Sequence, residues 1–262
     1  MISNKATVIS TNSSATKGTS KTPVPELNID RLGAVGDAHA GPWHRQISLL
    51  SGEIVEHFSA LCGRTFAPGD FAENITTRGI DLSKVAPLDR LTIGSVELEV
   101  VQIGKKCHGD GCAIYQQVGK CVMPAEGIFC RVISPGKVRP GDAVTLVQKT
   151  LRILVVTVSD RASRGEYEDR SGPELRRLIE EFFGGKRWHI EIQHSIIPDE
   201  AERLKDTIRG AVNAHTDIIF TTGGTGIGPR DITPESIISL ADKMIPGIME
   251  YIRCKYGEAS PN

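Results

Sequence analysis

This sequence of 262 residues has few aromatic side chains, almost no excess of charge of either sign and no long apolar run. Aromatic residues make up 5%, and 31 Lys and Arg balance 32 Asp and Glu. The near-zero net charge removes the usual electrostatic footprint of a nucleic-acid-binding protein, although a local basic patch could survive it. No apolar run approaches the roughly 18 residues of a membrane helix, and the polar N-terminal segment lacks a secretory signal. We therefore expect a cytoplasmic protein that binds neither nucleic acid nor membranes.

The six cysteines are spaced too unevenly for a disulfide framework, so we expect them to be reduced. Cys107 follows two lysines and precedes a histidine, a setting that favours the reactive thiolate. Cys112 and Cys121 remain alternatives for that role, whereas the apolar neighbours of Cys130 indicate a buried thiol. The run C-x4-C-x8-C-x8-C matches no common zinc or iron–sulfur pattern. A zinc- or iron-dependent module centred on Cys107–Cys121 is therefore the least favoured interpretation.

The first half of the chain has the pattern of a β-rich domain. Val96, Leu98 and Val100 alternate with glutamates, which places one face of a strand on a core. Turn sequences such as Pro140-Gly141-Asp142 separate further short apolar runs, and one helix is expected after Ser51. Many short strands with little helix predict a β-barrel or folded sheet over residues 1–149.

The second half, residues 150–262, alternates between strand and helix patterns. Leu151–Val158 is an almost continuous apolar run, as expected of a strand buried on both faces. Helices are predicted around Leu175–Phe183 and Leu204–Val212, and further strands over Ile190–Ile197 and Asp217–Phe220. This order predicts a three-layer α/β domain with a parallel sheet.

Polar residues at two predicted helix starts have the spacing of N-terminal caps. Ser171 and Glu174 are spaced as a capping box, and Asp199 with Glu202 forms a similar pair. A helix cap alone would account for Asp199.

A glycine-rich segment, TTGGTGIG, begins where the third predicted strand of this half ends. Such folds bind ligands at the carboxyl ends of their strands, and glycines let backbone N–H groups approach a phosphate. Arg230 can pair with a phosphate, and Asp231 can hold a divalent cation that bridges phosphates. The structural alternative is that Asp231 makes a turn before a helix that Thr233 caps and Pro234 begins.

Three motifs of the second half resemble the molybdopterin adenylyltransferase family of the MogA and MoaB type: VVTVSDRASRGEYEDRSGP, SIIPDE and TTGGTGIGPRDITPE. The resemblance implies Mg²⁺-dependent transfer of AMP from ATP to the terminal phosphate of molybdopterin. It also implies that Asp199 and Asp231 are the catalytic residues, and these two carboxylates would hold the Mg²⁺. The substrate-binding residues that it implies are Ser159 and Asp160 beside the nucleotide, and Thr222, Gly223, Gly224, Thr225 and Gly226 around the pterin or its phosphate. Arg230, which can pair with a phosphate, completes the candidate substrate-binding set.

Members of that family continue beyond the helix expected at Pro246–Tyr256, through at least one more strand and a Leu-Pro-Gly-type loop. The resemblance therefore implies an incomplete C-terminal domain with weak or no adenylyl transfer until that tail is restored. It also implies a homotrimer that works with other proteins of molybdenum-cofactor biosynthesis.

The first half, over about residues 5–148, resembles a MOSC domain, the module at the C-terminus of molybdenum-cofactor sulfurases. The segments GDAHAGPWHRQISLL and EGIFCRVISPGKVRPGD and the Cys107 region carry this resemblance. It implies a barrel-like fold in which Cys107 binds the molybdenum cofactor or carries sulfur. Bound pyridoxal phosphate is not expected, because the desulfurase half of some relatives is absent. Taken alone, GDAHAGPWHR fits either a binding loop or a polar crossover.

The two halves together predict a bifunctional protein of molybdenum-cofactor biosynthesis. Adenylyl transfer belongs to the second half, and cofactor binding or sulfur handling belongs to the first. The alternative is a non-catalytic protein that binds or carries molybdopterin or the cofactor. Release of pyrophosphate from ATP in the presence of molybdopterin and Mg²⁺ distinguishes the two.

Overall fold

A computed structural model describes residues 6–106 and 121–257 of the chain. These residues form two compact units. The N-terminal unit contains the described residues up to Thr150 together with Lys186–His189, and the C-terminal unit contains Leu151–Gly185 and the described residues from Ile190 onward.

Eleven strands dominate the described residues of the N-terminal unit, which confirms the prediction of a β-rich domain. Eight of them form one sheet in the order β11-β7-β8-β9-β5-β6-β1-β2, and three form a second sheet in the order β10-β3-β4. The strands are β1 (Thr7–Ser13), β2 (Thr22–Val24), β3 (Leu27–Asp30), β4 (Gly33–Ala34), β5 (Ile47–Ser51), β6 (Ile75–Arg78), β7 (Arg90–Ile93), β8 (Val96–Ile103), β9 (Ile128–Ser134), β10 (Gly136–Val138) and β11 (Val144–Val147), with helices α1 (Gly52–Cys62) and α2 (Met123–Glu126) and a 3-10 turn over Leu82–Lys84.

The large sheet curls so that the chain entering β11 reaches β1, far away in the strand order. An isolated antiparallel bridge joins Thr7 to Ala143. Backbone hydrogen bonds flank it, from Val8 N to the Asp142 carbonyl at 2.9 Å and from Val144 N to the Ala6 carbonyl at 2.8 Å. This contact gives the unit its barrel-like form, because it covers an edge that an open sheet would expose.

The alternating pattern of β8 places its apolar residues in the barrel core, as predicted. Val96, Leu98 and Val100 are completely buried and belong to one cluster with residues of β5 and β9, among them Leu49 and Ile128. The core therefore lies between strands that are distant in sequence.

The C-terminal unit is a three-stranded sheet with five helices among its described residues. Strand order is β13-β12-β14, and β12 and β14 are parallel, with Ile153 opposite Ile218 and Thr157 opposite Thr222. The elements are β12 (Thr150–Val158), α3 (Asp160–Ser163), α4 (Ser171–Phe183), β13 (His189–Ile197), α5 (Ala201–Asn213), β14 (Ile218–Thr222), α6 (Thr233–Ile238) and α7 (Pro246–Tyr256).

Helices cover both faces of β12, which confirms the predicted three-layer α/β arrangement. On one face, Leu154, Val156 and Val158 cluster with residues of α5 that include Leu204. On the other, Ile153 and Val155 cluster with Ile179 of α4. The apolar run of β12 is thus explained by burial on two sides. No helix within residues 6–106 and 121–257 has the length and hydropathy needed to span a bilayer.

The predicted cap at the start of α4 is wrong. The side chain of Asp169, rather than Ser171, accepts hydrogen bonds from the backbone N–H groups of Ser171 and Gly172, both at 3.1 Å. Glu174 instead forms an ion pair with Arg177. An aspartate two residues upstream reaches the same free N–H groups, so the helix end is satisfied without the capping box.

The other two predicted caps are also absent from this structure. Within the described part of the chain no side chain caps α5, and Asp199 accepts a hydrogen bond from the backbone of Asp160 instead. The predicted cap Thr233 does not cap α6, because its hydroxyl donates to the carbonyl of Gly223. In both cases a distant backbone group has replaced the local helix end as the partner.

Candidate functional site

The glycine-rich loop after β14 packs against the end of β12, because the two parallel strands are in register at their last residues. Gly223 has φ of 90° and lies so close to Val158 that any Cβ would overlap the Val158 carbonyl oxygen. Gly224 has φ of 58°, and a Cβ there would lie 2.7 Å from the Thr233 hydroxyl oxygen. Close packing onto β12 therefore requires glycine at position 223, and the positive φ together with the nearby Thr233 hydroxyl favours glycine at position 224.

Two hydrogen bonds from Thr233 fix the beginning of this loop. Its hydroxyl donates to the Gly223 carbonyl at 2.9 Å, and its backbone N–H donates to the Gly224 carbonyl at 3.0 Å. Beyond that anchor the chain turns outward, and residues 225–230 are exposed. The N–H groups of Thr225, Gly226 and Ile227 make no hydrogen bond within the described residues. The loop thus has a rigid base and an exposed segment with available donors.

Asp231 folds back onto the exposed part of the loop. One of its carboxylate oxygens, Oδ2, accepts a hydrogen bond from the Gly228 N–H at 2.8 Å, and a Cβ on Gly226 would lie 2.7 Å from the same oxygen. Asp231 also lines an open cavity of about 240 Å³ together with Lys205 and Glu235. That volume is small for a nucleotide, so a ligand of that size would have to lie along the exposed face of the loop.

Asp160 and Asp199, at the ends of β12 and β13, bind each other's backbone. The Asp160 N–H donates to Asp199 Oδ2 at 2.7 Å, and the Asp199 N–H donates to Asp160 Oδ1 at 3.0 Å. Ser159 N donates to the Ile197 carbonyl at 2.8 Å, and the Ser159 hydroxyl accepts from Ala162 N at 3.3 Å as the cap of α3. The two strand ends are therefore held together by reciprocal bonds, with both carboxylates at one edge of the sheet.

Arg230 connects the glycine-rich loop to this pair. Its guanidinium approaches Asp160 Oδ2 with two nitrogens, Nε at 3.1 Å and Nη2 in a shorter contact. Hydrogen bonding to Arg230 lowers the pKa of the Asp160 carboxyl below its ordinary value, against a smaller opposing effect of desolvation. Asp160 is therefore ionised at neutral pH, as its ion pair with Arg230 requires.

The carboxylate oxygens of Asp199 and Asp231 are of the chemical type that binds a hard cation such as Mg²⁺. Oδ1 of Asp231 accepts no hydrogen bond among the described residues, and Asp199 likewise uses only Oδ2. Mg²⁺ commonly takes one or two protein carboxylates and completes its octahedron with water and phosphate oxygens. In the described part of the chain, no group of three or more His, Cys, Asp and Glu side chains could hold a metal ion by itself.

A polar cluster under this site was not predicted from the sequence. Asp169 Oδ2 accepts from the Thr157 hydroxyl at 2.7 Å and lies 3.1 Å from Nε2 of His194. A Cβ on Gly172 would overlap both the His194 ring and the Asp169 carboxylate. The cluster ties the segment just before α4 to β12, through Thr157, and to β13, through His194. The Asp-x-Ser-Gly spacing was the one local signal for it, since an aspartate there can cap a helix.

In the N-terminal unit, the segment GDAHAGPWHR covers residues 36–45 and contains Asp37. Asp37 forms a buried ion pair with Lys21, and each of the two side chains is 1% exposed. Asp37 Oδ1 accepts from the His39 N–H at 2.9 Å and lies 3.3 Å from His39 Nδ1, while Oδ2 accepts from Asn74 Nδ2 at 3.1 Å. Burial raises the pKa of the Asp37 carboxyl, but the hydrogen bonds from His39 and Lys21 lower it by more, so the net shift of this pKa is downward. Burial also lowers the pKa of Lys21.

The cysteines differ in what the structure says about them. Cys107 and Cys112 lie outside the described residues. Cys121 is half-buried and lines a cavity of about 820 Å³ beside α1 and α2, with His57 and Glu126 on other walls. Cys130 is buried as predicted, and desolvation strongly raises the pKa of its thiol.

Comparison with known families assigns both halves. The MOSC domain family matches residues 36–145, and the family described as a probable molybdopterin binding domain matches residues 154–259. This chain joins a MOSC domain to a domain of the molybdopterin-binding family. The resemblances found in the sequence motifs are thereby confirmed, and the two units are called the MOSC domain and the molybdopterin-binding-type domain below.

Individual relatives match the molybdopterin-binding-type domain. A molybdopterin adenylyltransferase of Helicobacter pylori is 38% identical over 106 residues, covering 40% of this chain and 58% of the relative. The enzyme of the same name from Escherichia coli K12 is 37% identical over 105 residues, covering 40% and 52%. The solved tungsten cofactor synthesizing protein MoaB of Pyrococcus furiosus is 38% identical with a TM-score of 0.37, covering 44% and 67%. The chain spans about half the length of the curated relatives that it matches.

Proposed function

We propose that the protein acts in molybdenum-cofactor biosynthesis and that its second domain transfers AMP from ATP to molybdopterin. The observation that carries the proposal is the exposed glycine-rich loop, with its unused N–H donors, next to the carboxylates of Asp199 and Asp231. The names of the similar adenylyltransferases support the choice of substrates.

The reaction brings two anions together, and the residues of the loop offset that repulsion. An oxygen of the pterin's terminal phosphate attacks the α-phosphorus of ATP, forming a new P–O bond while the bond to the leaving pyrophosphate breaks. The N–H groups of Thr225–Ile227 donate to phosphate oxygens, and Arg230 supplies a positive charge. Asp199 and Asp231 would hold Mg²⁺, which when bound neutralises phosphate charge. No covalent intermediate on the protein is required.

Thr222, Gly223 and Gly224 have a supporting role in this proposal. They fix the loop base against β12, so that the donors beyond them are held in position before substrate arrives. Ser159 acts through its cap on α3, which orients Asp160 beside the nucleotide. Because these residues are already ordered, little further entropy is lost when the reacting groups are brought together.

Pyrophosphate release is the direct test. The chain incubated with ATP, Mg²⁺ and molybdopterin is expected to release pyrophosphate slowly and to form an adenylylated pterin, measured by a coupled phosphate assay and mass spectrometry. Omission of molybdopterin is the control. Tight binding of molybdopterin with no pyrophosphate above that control would instead support the alternative, a protein that binds or carries the pterin without chemistry.

For the MOSC domain, we propose cofactor binding or sulfur handling through Cys107, with Cys112 and Cys121 as alternatives. Two lysines and a histidine adjoin Cys107 in the sequence and favour its thiolate. The molybdenum cofactor is its proposed ligand. The proposed domain limits are residues 1–149 and 150–262, and a cytoplasmic homotrimer acting with other cofactor-biosynthesis proteins completes the proposal.

Alkylation can identify the reactive thiol. We expect Cys107→Ser to remove the site that iodoacetamide modifies fastest at neutral pH, because thiolate content controls the rate. Peptide mapping by mass spectrometry over a time course gives the order of modification. Cys62→Ser, at an exposed cysteine, is the matched control. First modification of Cys112 or Cys121 would contradict the assignment, and Cys130 should stay unmodified while the protein is folded.

A further inference from the structure

The guanidinium of Arg230 is bound by a carboxylate of the same chain. Nε and Nη2 both contact Asp160 Oδ2, and this is the ion pair formed by Arg230. The side chain of Arg230 is nevertheless 63% exposed, whereas that of Asp160 is 22% exposed. The group best suited to a phosphate in this loop is therefore held by an internal anion.

The two partners of this pair differ in how firmly they are held. Asp160 is fixed through its backbone N–H and through Oδ1, both bonded to Asp199. Arg230 stands in the exposed part of the loop, and its guanidinium makes no other hydrogen bond in the described residues. If the pair opens, Asp160 stays in place and the Arg230 side chain moves.

A phosphate can replace the carboxylate on the same edge of the guanidinium. Both anions offer oxygens to the planar N–H donors of arginine, and phosphate carries more charge. An exposed ion pair contributes little stability, so opening it is not a large obstacle to ligand binding.

We propose that Asp160 is an internal competitor for Arg230, which exchanges this carboxylate for a phosphate of the substrate and returns to it when the product leaves. The inference rests on the proposed function, since it assigns Asp160 a positioning role at that same site rather than a direct contact with nucleotide. Asp160 then limits how tightly phosphate ligands bind and restores the empty loop after each turnover.

The test is the affinity of the full chain for ATP and for inorganic pyrophosphate, measured with Mg²⁺ by isothermal titration calorimetry at fixed ionic strength. Asp160→Asn keeps an oxygen that accepts the Asp199 N–H but lacks the charge that holds Arg230. We expect a dissociation constant roughly two- to five-fold lower than that of the wild type, the range set by an exposed ion pair. Adding Arg230→Ala to this variant should abolish the gain.

A matched control separates this exchange from a general change in charge. Glu166→Gln removes a carboxylate from the same segment, where it pairs with Arg164 at 2.7 Å, and should leave both affinities unchanged. An equal gain in this control would overturn the proposal. So would unchanged or weaker binding by Asp160→Asn when the wild type binds ATP, and this result would leave the proposed function standing.

The wild type itself provides a second measurement. The Nε–H resonance of Arg230, assigned through its loss in Arg230→Lys, should shift in a ¹H–¹⁵N spectrum on addition of pyrophosphate. A resonance that keeps its position at saturation would overturn the exchange without reference to any Asp160 variant. Absence of binding of both ATP and pyrophosphate to the wild type would overturn the proposed function together with this inference.

Discussion

Replacing Asp231 with Asn is expected to lower the rate of adenylyl transfer by about 100-fold or more. The amide oxygen can still accept the Gly228 N–H that Asp231 Oδ2 binds at 2.8 Å, so the loop should keep its shape. The variant lacks the negative charge proposed to hold Mg²⁺. Pyrophosphate release at saturating ATP measures the effect, and the free energy of unfolding should stay within about 1 kcal/mol of the wild type.

Glu235→Gln is the matched control for this prediction. Glu235 is an exposed acid of α6 that lines the same cavity as Asp231, and its replacement should change the rate less than about two-fold. If Asp231→Asn retained most of its activity, Asp231 would be a structural turn residue and not part of the catalytic machinery. Equal losses in the two variants would point to a general charge effect instead.

Replacing Gly223 with Ala is expected to destabilise the second domain by about 2–4 kcal/mol. A Cβ would overlap the Val158 carbonyl oxygen, and φ of 90° is itself unfavourable for any L side chain. The loop must therefore move away from β12, which separates the proposed donors from the carboxylates. Urea unfolding followed by circular dichroism measures the loss, and activity should fall as well.

Gly210 is the matched control for Gly223. It lies inside α5, and a Cβ there meets no atom within 4 Å. Gly210→Ala should therefore stabilise the domain by about 0.5–1 kcal/mol, because alanine restricts the unfolded chain and favours helix. A tolerated Gly223→Ala would mean that the loop packs less closely on β12 than the structure indicates.

The element types of the second domain could be predicted because its apolar periodicity is strong. The run Leu151–Val158 belongs to a strand buried on both faces, and that burial leaves a continuous apolar pattern in the sequence. The glycine-rich loop was located for the same reason, since it follows directly on a recognisable strand. Regular patterns therefore fixed both the fold class and the position of the candidate site.

The helix caps could not be predicted, because local spacing does not reveal which distant group competes for a side chain. Asp199 has the position of an N-cap in the sequence, yet its carboxylate binds the backbone of Asp160, 39 residues earlier. Thr233 likewise bonds to Gly223 on the loop instead of capping α6. A side chain near a helix end serves whichever N–H or carbonyl the tertiary fold brings closest.

The buried ion pair between Lys21 and Asp37 was not predicted, for a related reason. Lys21 stands in a polar N-terminal segment that carries no core signal, and only the folded barrel brings it to Asp37. The ion pair between Asp160 and Arg230 spans 70 residues and was equally invisible. Pairing between distant charged residues depends on topology, which composition and periodicity do not specify.

The bonds that Asp160 makes to Asp199 and to Arg230 have a consequence for how the protein is made. Closing them requires segments 39 and then 70 residues apart to meet, and such closures slow folding because chain entropy is lost before contacts compensate for it. A ribosome must therefore extrude the chain past Arg230 before the last of these bonds can form. Nascent chains shorter than that already contain β12 and its apolar surface, so this strand needs protection from other chains during synthesis.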